Sequence, residues 1–351
     1  MIWIDEQTAQ DYLRATGRIA SQEEVRIREL AGGVSNVVLL VADARGLPRF
    51  VLKQAREQLR VADPWFCSVT RILREVEVLK IAGRALQREP ARLPNEGLAV
   101  GVPEVLFCDA ENFAFAMTAA PPHQVWKEQL LAGACEPQVA SACGSLLGSL
   151  HATTWHDAES AAGLADRTFF DALRLDPYYR HVARQREDLA LHLERIIASV
   201  DEHVCCLVHG DYSPKNLLVS ADRVTLVDCE VGHFGDPAFD LGFFLSHLVL
   251  KAVRAEARWW DYVRLTFVFW HAYEDIVKPV MGAREFGALV ARTVDHFAAC
   301  CLARIDGKSK VDYLQESQRC RVRKVAERLF LRRPATWSAA VADCLPLWPA
   351  G

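Results

Sequence analysis

Two neighbouring stretches decide how this chain is interpreted: HGDYSPKN at residues 209–216 and VTLVDCE at residues 224–230. The first sets the carboxylate of Asp211 and the carboxamide of Asn216 a short loop apart. The second ends an apolar run with the carboxylate of Asp228. Phosphoryl transfer from a nucleotide needs a carboxylate that orients an incoming hydroxyl, and oxygen ligands that hold magnesium against the phosphates. A lone His-Gly-Asp would be weak support, but the ordered pair of stretches predicts a kinase active site.

The bulk composition is that of an ordinary globular protein. The chain has 351 residues, of which 51% are hydrophobic and 25% charged. This length allows two modest domains or one bilobed unit. The formal net charge of −4 does not indicate a polyanion-binding surface, so no nucleic-acid partner is expected. The sequence leaves the oligomeric state open.

The pattern of apolar residues predicts no export signal and no membrane span. Asp5 and Glu6 stand where a signal peptide would carry basic residues. No apolar run approaches the roughly 20 residues of a membrane span. The eleven cysteines include no Cys-x-x-Cys pair, and we interpret them as reduced thiols in apolar surroundings. We expect a soluble, cytoplasmic protein without a membrane partner.

The first third of the chain is predicted to be rich in strands, at 36–42, 49–54, 102–108 and 113–117. The first two of these form a plausible hairpin. Apolar residues at helical spacing predict a helix over 68–82, with Ser68 as its N-cap. Pro121 and Pro122 then interrupt the strand pattern, because proline cannot donate to a strand ladder.

Beyond the two prolines the periodicity is mostly helical. Helices are predicted at 137–154, 169–179, 184–203, 259–273, 285–302 and 313–331. The 209–230 region interrupts them with short strands. These patterns predict an α+β protein with two lobes: a β-rich lobe over 1–120, a hinge near 118–122, and a helical lobe over 121–351 that carries the chemistry.

With these residues placed, the sequence resembles the aminoglycoside phosphotransferase family over nearly its whole length. This family is the small-molecule branch of the protein-kinase-like fold and also contains choline kinases and methylthioribose kinases. The resemblance implies a bilobed kinase that uses ATP and Mg²⁺. It implies that Asp211 is the catalytic carboxylate and that Asn216 and Asp228 bind magnesium. The alternative for Asp211 is a turn that caps a strand, which would require neither Asn216 nor Asp228.

Three nearby residues receive supporting roles. Glu230 completes an Asp-x-Glu pattern similar to that of small-molecule kinases, and we expect it to bind magnesium directly or through another ligand; the alternative is a solvated loop glutamate. His209 is interpreted as a structural histidine. Asp240 is expected to bond backbone amides of the catalytic loop or to cap its helix.

The nucleotide contacts are implied by the resemblance. Lys53 would touch the α- and β-phosphates, with Glu75 as its ion-pair partner and Glu77 as the competing candidate. Two adjacent glycines let a backbone approach phosphates, or form an ordinary hairpin turn. The remaining candidates are the phosphate-covering residues Gly32, Gly33 and Ser35, and the adenine-binding hinge residues Met117 and Ala119.

Some features are similar to those of methylthioribose kinases: KQA at 53–55 followed by Leu59-Arg60-Val61 and Trp65, WKEQLLAG at 126–133, and the pair Arg332-Arg333. Asn216 and Pro334 depart from that pattern. We therefore expect a small-molecule acceptor that is most simply sugar-like, with an aminoglycoside or an amino alcohol as alternatives. Arg332, Arg333 and His233 are the candidate substrate contacts, although an arginine pair at a helix end is more often solvated.

Three other classes of protein were weighed. A non-catalytic nucleotide-binding module is disfavoured because Lys53, Asp211, Asn216 and Asp228 are all present. A protein kinase is disfavoured because the sequence has no Asp-Phe-Gly, Ala-Pro-Glu or His-Arg-Asp. A metallohydrolase would need histidines clustered at ligand spacing, and here they are scattered.

Overall fold

The computed structural model describes residues 1–30, 36–58, 66–88 and 97–348. The predicted phosphate-covering residues Gly32, Gly33 and Ser35 lie outside this described part, as do Leu59-Arg60-Val61 and Trp65. The chain divides into two compact units. The first comprises Met1–Gly83 and Val102–Pro121, and the second comprises Arg84–Gly101 and Pro122–Gly351.

The first unit is built on one five-stranded antiparallel sheet in the order β1-β2-β3-β6-β5. In chain order, the helices and strands up to Thr118 are α1 (Ala9–Ala15), β1 (Val25–Glu29), β2 (Asn36–Asp43), β3 (Pro48–Ala55), α2 (Arg71–Arg88), β4 (Ala99–Gly101), β5 (Val105–Asp109) and β6 (Ala114–Thr118). Of these, the short strand β4 belongs to the second unit. The predicted β2–β3 hairpin is confirmed, with Asn36 opposite Ala55 at its open end. Asp43 shapes its turn, because Oδ1 accepts hydrogen bonds from the backbone amides of Arg45 and Leu47 at 2.9 Å.

The second unit is mainly helical. Its further elements are β7 (Gln124–Val125), α3 (Trp126–Leu131), α4 (Pro137–Thr153), α5 (Ala158–Leu164), α6 (Thr168–Phe170), α7 (His181–Gln185), α8 (Glu187–Glu202), β8 (Cys206–Val208), β9 (Leu217–Val219), β10 (Arg223–Leu226), β11 (His233–Gly235), α9 (Ala238–Ala255), α10 (Trp259–Met281), α11 (Ala283–Asp306), α12 (Glu316–Arg332) and α13 (Trp337–Cys344). A π-helix spans Asp171–Arg180, and short 3₁₀ turns lie at Pro214–Asn216, Glu256–Arg258 and Leu345–Leu347.

Two small sheets in this unit position the loops around the HGDYSPKN motif. Strands β4, β10, β9 and β7 form one sheet, and β8 pairs antiparallel with β11 in the other. Residues 209–216 therefore connect β8 to β9, and residues 227–232 connect β10 to β11. Since β9 and β10 are neighbours in one sheet and β8 and β11 in the other, the two connecting loops run side by side.

The segment predicted as a helix over 169–179 is largely a π-helix, which continues from α6 and runs into α7. Pro177 lies inside it. Proline has no backbone N–H and its ring clashes with the preceding turn, so a proline inside a helix displaces the regular hydrogen-bond ladder. Such π segments are frequent at functional sites.

The core of the second unit lies among α4, α9, α10 and α11. Almost every residue of α9 is buried, from Ala238 to Val253. Among the described residues, α11 is the one helix long and apolar enough to cross a membrane by length and composition alone. Yet 72% of its apolar window is buried inside the protein, as in the core helix of a globular protein.

The contact between α9 and α11 leaves no room for a methyl group at Gly242. An added Cβ would lie 2.6 Å from the backbone nitrogen of Phe297 and 2.7 Å from Cβ of His296. We expect Gly242→Ala to lower the free energy of unfolding by about 1–3 kcal/mol, because rigid backbone must move. Urea unfolding of the purified variant measures this change.

Gly287→Ala is the matched control on α11, since an added Cβ there meets nothing within 4 Å. This substitution should leave the protein equally stable, or stabilise it by up to about 1 kcal/mol, because alanine favours a helix over glycine. Equal midpoints for the two variants would contradict the close α9–α11 packing.

Candidate active site

The loop after β8 brings Asp211 and Asn216 together. Asp211 is only 3% exposed. The side-chain nitrogen of Asn216 donates to the backbone oxygen of Asp211 and to its Oδ2, both at 2.9 Å. Because the amide nitrogen of Asn216 is used in this way, its amide oxygen is the atom that could bind a cation. The 3₁₀ turn Pro214–Asn216 sets the spacing that makes this contact possible.

Asp240, in the first turn of α9, holds the start of this loop. Its Oδ2 accepts a hydrogen bond from the amide of His209 at 2.7 Å, and its Oδ1 accepts one from the amide of Gly210 at 2.9 Å. These are the bonds that a scaffolding role requires. Gly210 has φ +74, and an added Cβ would lie 2.9 Å from the backbone oxygen of Val231, so the loop needs glycine at this position.

The ring of His209 is used by the loop itself. The backbone amide of Asp211 donates to its Nδ1 at 3.1 Å, and its Nε2 lies 3.2 Å from the backbone oxygen of Val227. A carbonyl only accepts, so Nε2 carries the proton and the ring is neutral. Burial lowers the pKa of His209, in agreement with this assignment.

Two cations that sequence reasoning missed flank the carboxylate of Asp211. The guanidinium of Arg174, in the π-helix, lies 2.9 Å from Oδ1, and the ammonium of Lys215 lies 2.8 Å from Oδ2. Arg174 also donates from Nε to the backbone oxygen of Gly210 at 2.7 Å. Lys215 stands within the quoted motif and could have been noticed. Arg174 lies 37 residues before Asp211 in an ordinary helical pattern, so no sequence signal marked it.

These cations decide the charge state of Asp211. Burial acts to raise its pKa, but Arg174 and Lys215 outweigh burial, and the pKa of Asp211 lies below its ordinary value. The negative charge of Asp228 acts in the opposite direction and does not reverse the result. Asp211 is therefore ionised at neutral pH, with both oxygens in defined hydrogen-bonding positions.

The loop after β10 carries two carboxylates. One carboxylate oxygen of Asp228 and one of Glu230 lie within 4.8 Å of each other. Asp228 has φ +68, a left-handed conformation that is uncommon for residues other than glycine, although aspartate and asparagine adopt it more readily than most. The carboxylate oxygens of Asp228 and Glu230 and the amide oxygen of Asn216 are hard oxygen donors, the type of ligand that suits Mg²⁺. The residues present therefore fit a magnesium ion.

The ion pair implied for the first unit is present. Nζ of Lys53, on β3, lies 2.8 Å from Oε1 and 2.7 Å from Oε2 of Glu75, on α2. Both side chains are buried. The competing candidate Glu77 is half-buried, and its carboxylate lies 3.4 Å from the guanidinium of Arg74. Of the two glutamates, Glu75 is thus the partner of Lys53.

The other predicted site residues have the following positions. Met117 lies in β6 and Ala119 directly follows that strand. His233 lies in β11 and is buried, with its ring 4.1 Å from that of Phe170. Arg332, at the end of α12, lies 2.6 Å from Asp343, and Arg333 lies 2.7 Å from Asp295. Both arginines are exposed, and each is paired with a carboxylate of its own unit.

Arg174→Met is expected to lower the free energy of unfolding by about 3–5 kcal/mol at pH 7.5, because it leaves Asp211 buried with less compensation. The sign of the pH dependence follows from linkage. A lowered pKa stabilises the fold above the ordinary aspartate value, and this contribution is lost as pH falls. In the variant, burial raises the pKa of Asp211, so the folded protein takes up a proton as pH falls. The difference in free energy of unfolding between wild type and variant should therefore shrink towards pH 5. Urea unfolding of both proteins at pH 7.5 and pH 5 measures this difference.

Arg180→Met is the control in the same π-helix, because Arg180 pairs with the partly exposed Asp171. Arg180→Met should lower the free energy of unfolding by less than about 1 kcal/mol, and this change should vary little with pH. A deficit for Arg174→Met that stays constant between pH 7.5 and 5 would show that Arg174 does not set the charge state of Asp211.

The chain is similar in sequence or in fold to several kinases. The methylthioribose kinase of Pectobacterium atrosepticum is 26% identical over 274 residues, which cover 69% of this chain and 64% of that protein. A choline/ethanolamine kinase family protein from Mesorhizobium loti superposes with a TM-score of 0.53 at 18% identity, over 96% of this chain and 94% of that one. An amicoumacin kinase in complex with AMP-PNP and Ca²⁺ gives a TM-score of 0.55 at 14% identity, over 94% of this chain and 95% of that one.

The structural matches show the fold. The predicted α+β class and protein-kinase-like architecture are confirmed, with an antiparallel sheet in the first unit and a larger helical second unit. The model of the phosphotransferase enzyme family matches residues 26–267, a range that contains Lys53, Asp211, Asn216 and Asp228. The chain therefore belongs to the phosphotransferase enzyme family.

Proposed function

We propose that this protein is a magnesium-dependent kinase that transfers the γ-phosphoryl group of ATP to a hydroxyl of a small metabolite. The observation that carries the proposal is the buried, ionised Asp211 bonded to Asn216, on a loop that runs beside the loop of Asp228 and Glu230. This arrangement supplies both the carboxylate and the oxygen ligands that phosphoryl transfer requires. Membership of the phosphotransferase enzyme family supports the same chemistry.

In the proposed mechanism Asp211 accepts a hydrogen bond from the acceptor hydroxyl and orients its oxygen towards the γ-phosphorus. The new oxygen–phosphorus bond forms as the bond to the leaving ADP breaks, and the hydroxyl proton passes to Asp211. Arg174 and Lys215 keep Asp211 ionised before that step. Asn216, Asp228 and Glu230 would hold magnesium, which supplies neutralisation of phosphate charge. Most of the rate would come from positioning and electrostatic stabilisation.

We propose that residues 1–120 form a nucleotide-binding lobe. The nucleotide would therefore bind to the first unit. The buried Lys53–Glu75 pair presents an ammonium whose position is fixed, as phosphate binding requires. Gly32, Gly33 and Ser35 are proposed to cover the phosphates, and Met117 and Ala119 to meet the adenine. The acceptor is assigned to the helical part over 121–351.

The similarity to a methylthioribose kinase supports a sugar-like acceptor, but the chain spans about 64% of the length of that relative. Arg332, Arg333 and His233 stay predictions as substrate contacts. The two arginines would have to leave Asp343 and Asp295 to bind a ligand. An aminoglycoside or an amino alcohol remains the alternative acceptor, and a cytoplasmic location is proposed with the kinase activity.

Asp211→Asn should reduce turnover by roughly 10²- to 10⁴-fold while ATP binding is retained, because the amide keeps the shape but cannot accept the proton. The measurement is coupled ADP release over a panel of sugars, amino alcohols and aminoglycosides, with nucleotide binding followed by calorimetry. Asp222→Asn serves as the control, since Asp222 is exposed beside β10. Equal turnover of Asp211→Asn and the wild type would refute the assignment of the base.

Asp228→Asn should raise the Mg²⁺ concentration for half-maximal activity by about tenfold or more, because a charged oxygen ligand becomes neutral. Glu230→Gln should produce a shift of the same direction if Glu230 contributes to the metal site. Magnesium titrations of ADP release at saturating ATP measure both shifts. An unchanged magnesium requirement in both variants would remove Asp228 and Glu230 from the metal site.

A further inference from the structure

One face of α9 leads away from the catalytic loop. Phe243, His247 and Lys251 are spaced four residues apart, so they lie one above another on the same side of the helix. The guanidinium of Arg174, which bonds Asp211, lies 5.9 Å from the ring of Phe243. The ring of His247 lies 4.8 Å from that of Phe243. Lys251 is about 12 Å along the helix axis from Phe243, given a rise of 1.5 Å per residue.

Lys251 is a buried cation in cationic surroundings. It is 2% exposed, and its ammonium donates to the backbone oxygen of His247 at 3.3 Å and lies 5.8 Å from the ring centre of Tyr313. Burial, together with the nearby charges of Arg304, Lys127 and Arg254, lowers the pKa of Lys251 to about 7. The three charged groups that lower this pKa are all basic. Buried lysines are normally paired with carboxylates.

The groups around Lys251 have unused hydrogen-bonding capacity. Within the residues that the structure describes, Nε2 of His247, the hydroxyl of Tyr313 and Nε of Arg304 are buried without a hydrogen-bond partner. Arg304 donates from Nη1 to Oγ of Ser309 at 2.7 Å. We call His247, Lys251, Arg304 and Tyr313 the Lys251 cluster. Its members offer several donors, and none of them is a carboxylate.

Two further basic residues act electrostatically on this cluster, one on the surface and one in the catalytic loop. Lys127 on α3 is exposed and Lys215 is half exposed, and the positive charges of both lower the pKa of His247, after burial, Lys251 and Arg304. Lys215 is the same residue that bonds Asp211. A ligand that reaches from Asp211 to Lys251 would thus meet positive charge along its path.

Resting on the proposed function, we infer that the acceptor carries an oxyanion, a carboxylate or a phosphate monoester, and that the Lys251 cluster binds it while Asp211 receives the hydroxyl. An oxyanion accepts several charge-assisted hydrogen bonds and would place a negative charge beside the buried ammonium of Lys251. A cationic acceptor such as an aminoglycoside or an amino alcohol would be repelled by the same groups. The acceptor class is therefore a hydroxy acid or a sugar phosphate.

The first test compares acceptors matched in shape and different in charge: glycerate with glycerol, and ribose 5-phosphate with ribose, with choline and kanamycin as cations. ADP release is measured for the wild type, for Lys251→Met, and for the control Lys278→Met at an exposed lysine of α10. We expect the anionic acceptors to be preferred and Lys251→Met to raise their KM roughly 10- to 100-fold. Preference for neutral or cationic acceptors, with KM unchanged in Lys251→Met, would overturn the inference.

The second test does not depend on turnover. Inorganic phosphate and glycerate are titrated at pH 6.5, where Lys251 carries its charge, and Tm is followed for the same three proteins. Both probes should raise the Tm of the wild type and of Lys278→Met and should have little effect on Lys251→Met. If no acceptor releases ADP but this difference holds, the anion site stands and the proposed kinase function fails. Equal responses of all three proteins would overturn the anion site.

Without ligand, Lys251→Met is expected to raise Tm by a few degrees, because it removes a buried ammonium that lacks a carboxylate partner. A structural role of Lys251 would produce the opposite sign. A lower Tm of the unliganded variant, together with an unchanged response to phosphate, would therefore also contradict the inference.

Discussion

The carboxylate of Asp211 has lost almost all contact with water, and the structure around it compensates for that loss. Removing a charged group from water costs several kcal/mol unless nearby groups replace the hydration. Here a guanidinium, an ammonium and an amide replace it, from Arg174, Lys215 and Asn216. Each of these groups also fixes the direction of an oxygen lone pair. The same contacts that make burial tolerable therefore leave the carboxylate charged and oriented.

This requirement extends to the elements that carry the compensating groups. The π-helix Asp171–Arg180 presents Arg174 to both the side chain of Asp211 and the backbone of Gly210. Helix α9 contributes Asp240, which binds two amides at the start of the loop. The burial of α9 against α11 fixes that helix, and Gly242 permits their close approach. The buried charge of Asp211 is thus stabilised by helices that are far from the motif in sequence.

The sequence predicted the class of fold and the order of its parts because the hydrophobic period changes from strand-like to helical near Pro121. The helix predicted over 68–82 runs over Arg71–Arg88, since a stripe of apolar residues does not mark where a helix ends. The π-helix was not predicted, because the spacing of apolar residues does not distinguish it from an α-helix, although Pro177 lies inside it. The partnership of Lys53 with Glu75 was implied correctly at the level of geometry. Arg174 was missed because a contact between distant segments leaves no local pattern.

The strand β4 has a consequence for how the second unit can form. Ala99–Gly101 pairs in parallel with Arg223–Thr225 of β10, although more than a hundred residues separate them. The residues from Pro122 onward therefore lack one strand of their own sheet, and a fragment that begins there would present the backbone of β10 as an open edge. During synthesis, Ala99–Gly101 leaves the ribosome long before β10, so it cannot pair as a strand until β10 has been made. The second unit is consequently not an autonomous piece of chain, and an ancestral fusion or an engineered split at Pro121 would have to carry this short strand with it.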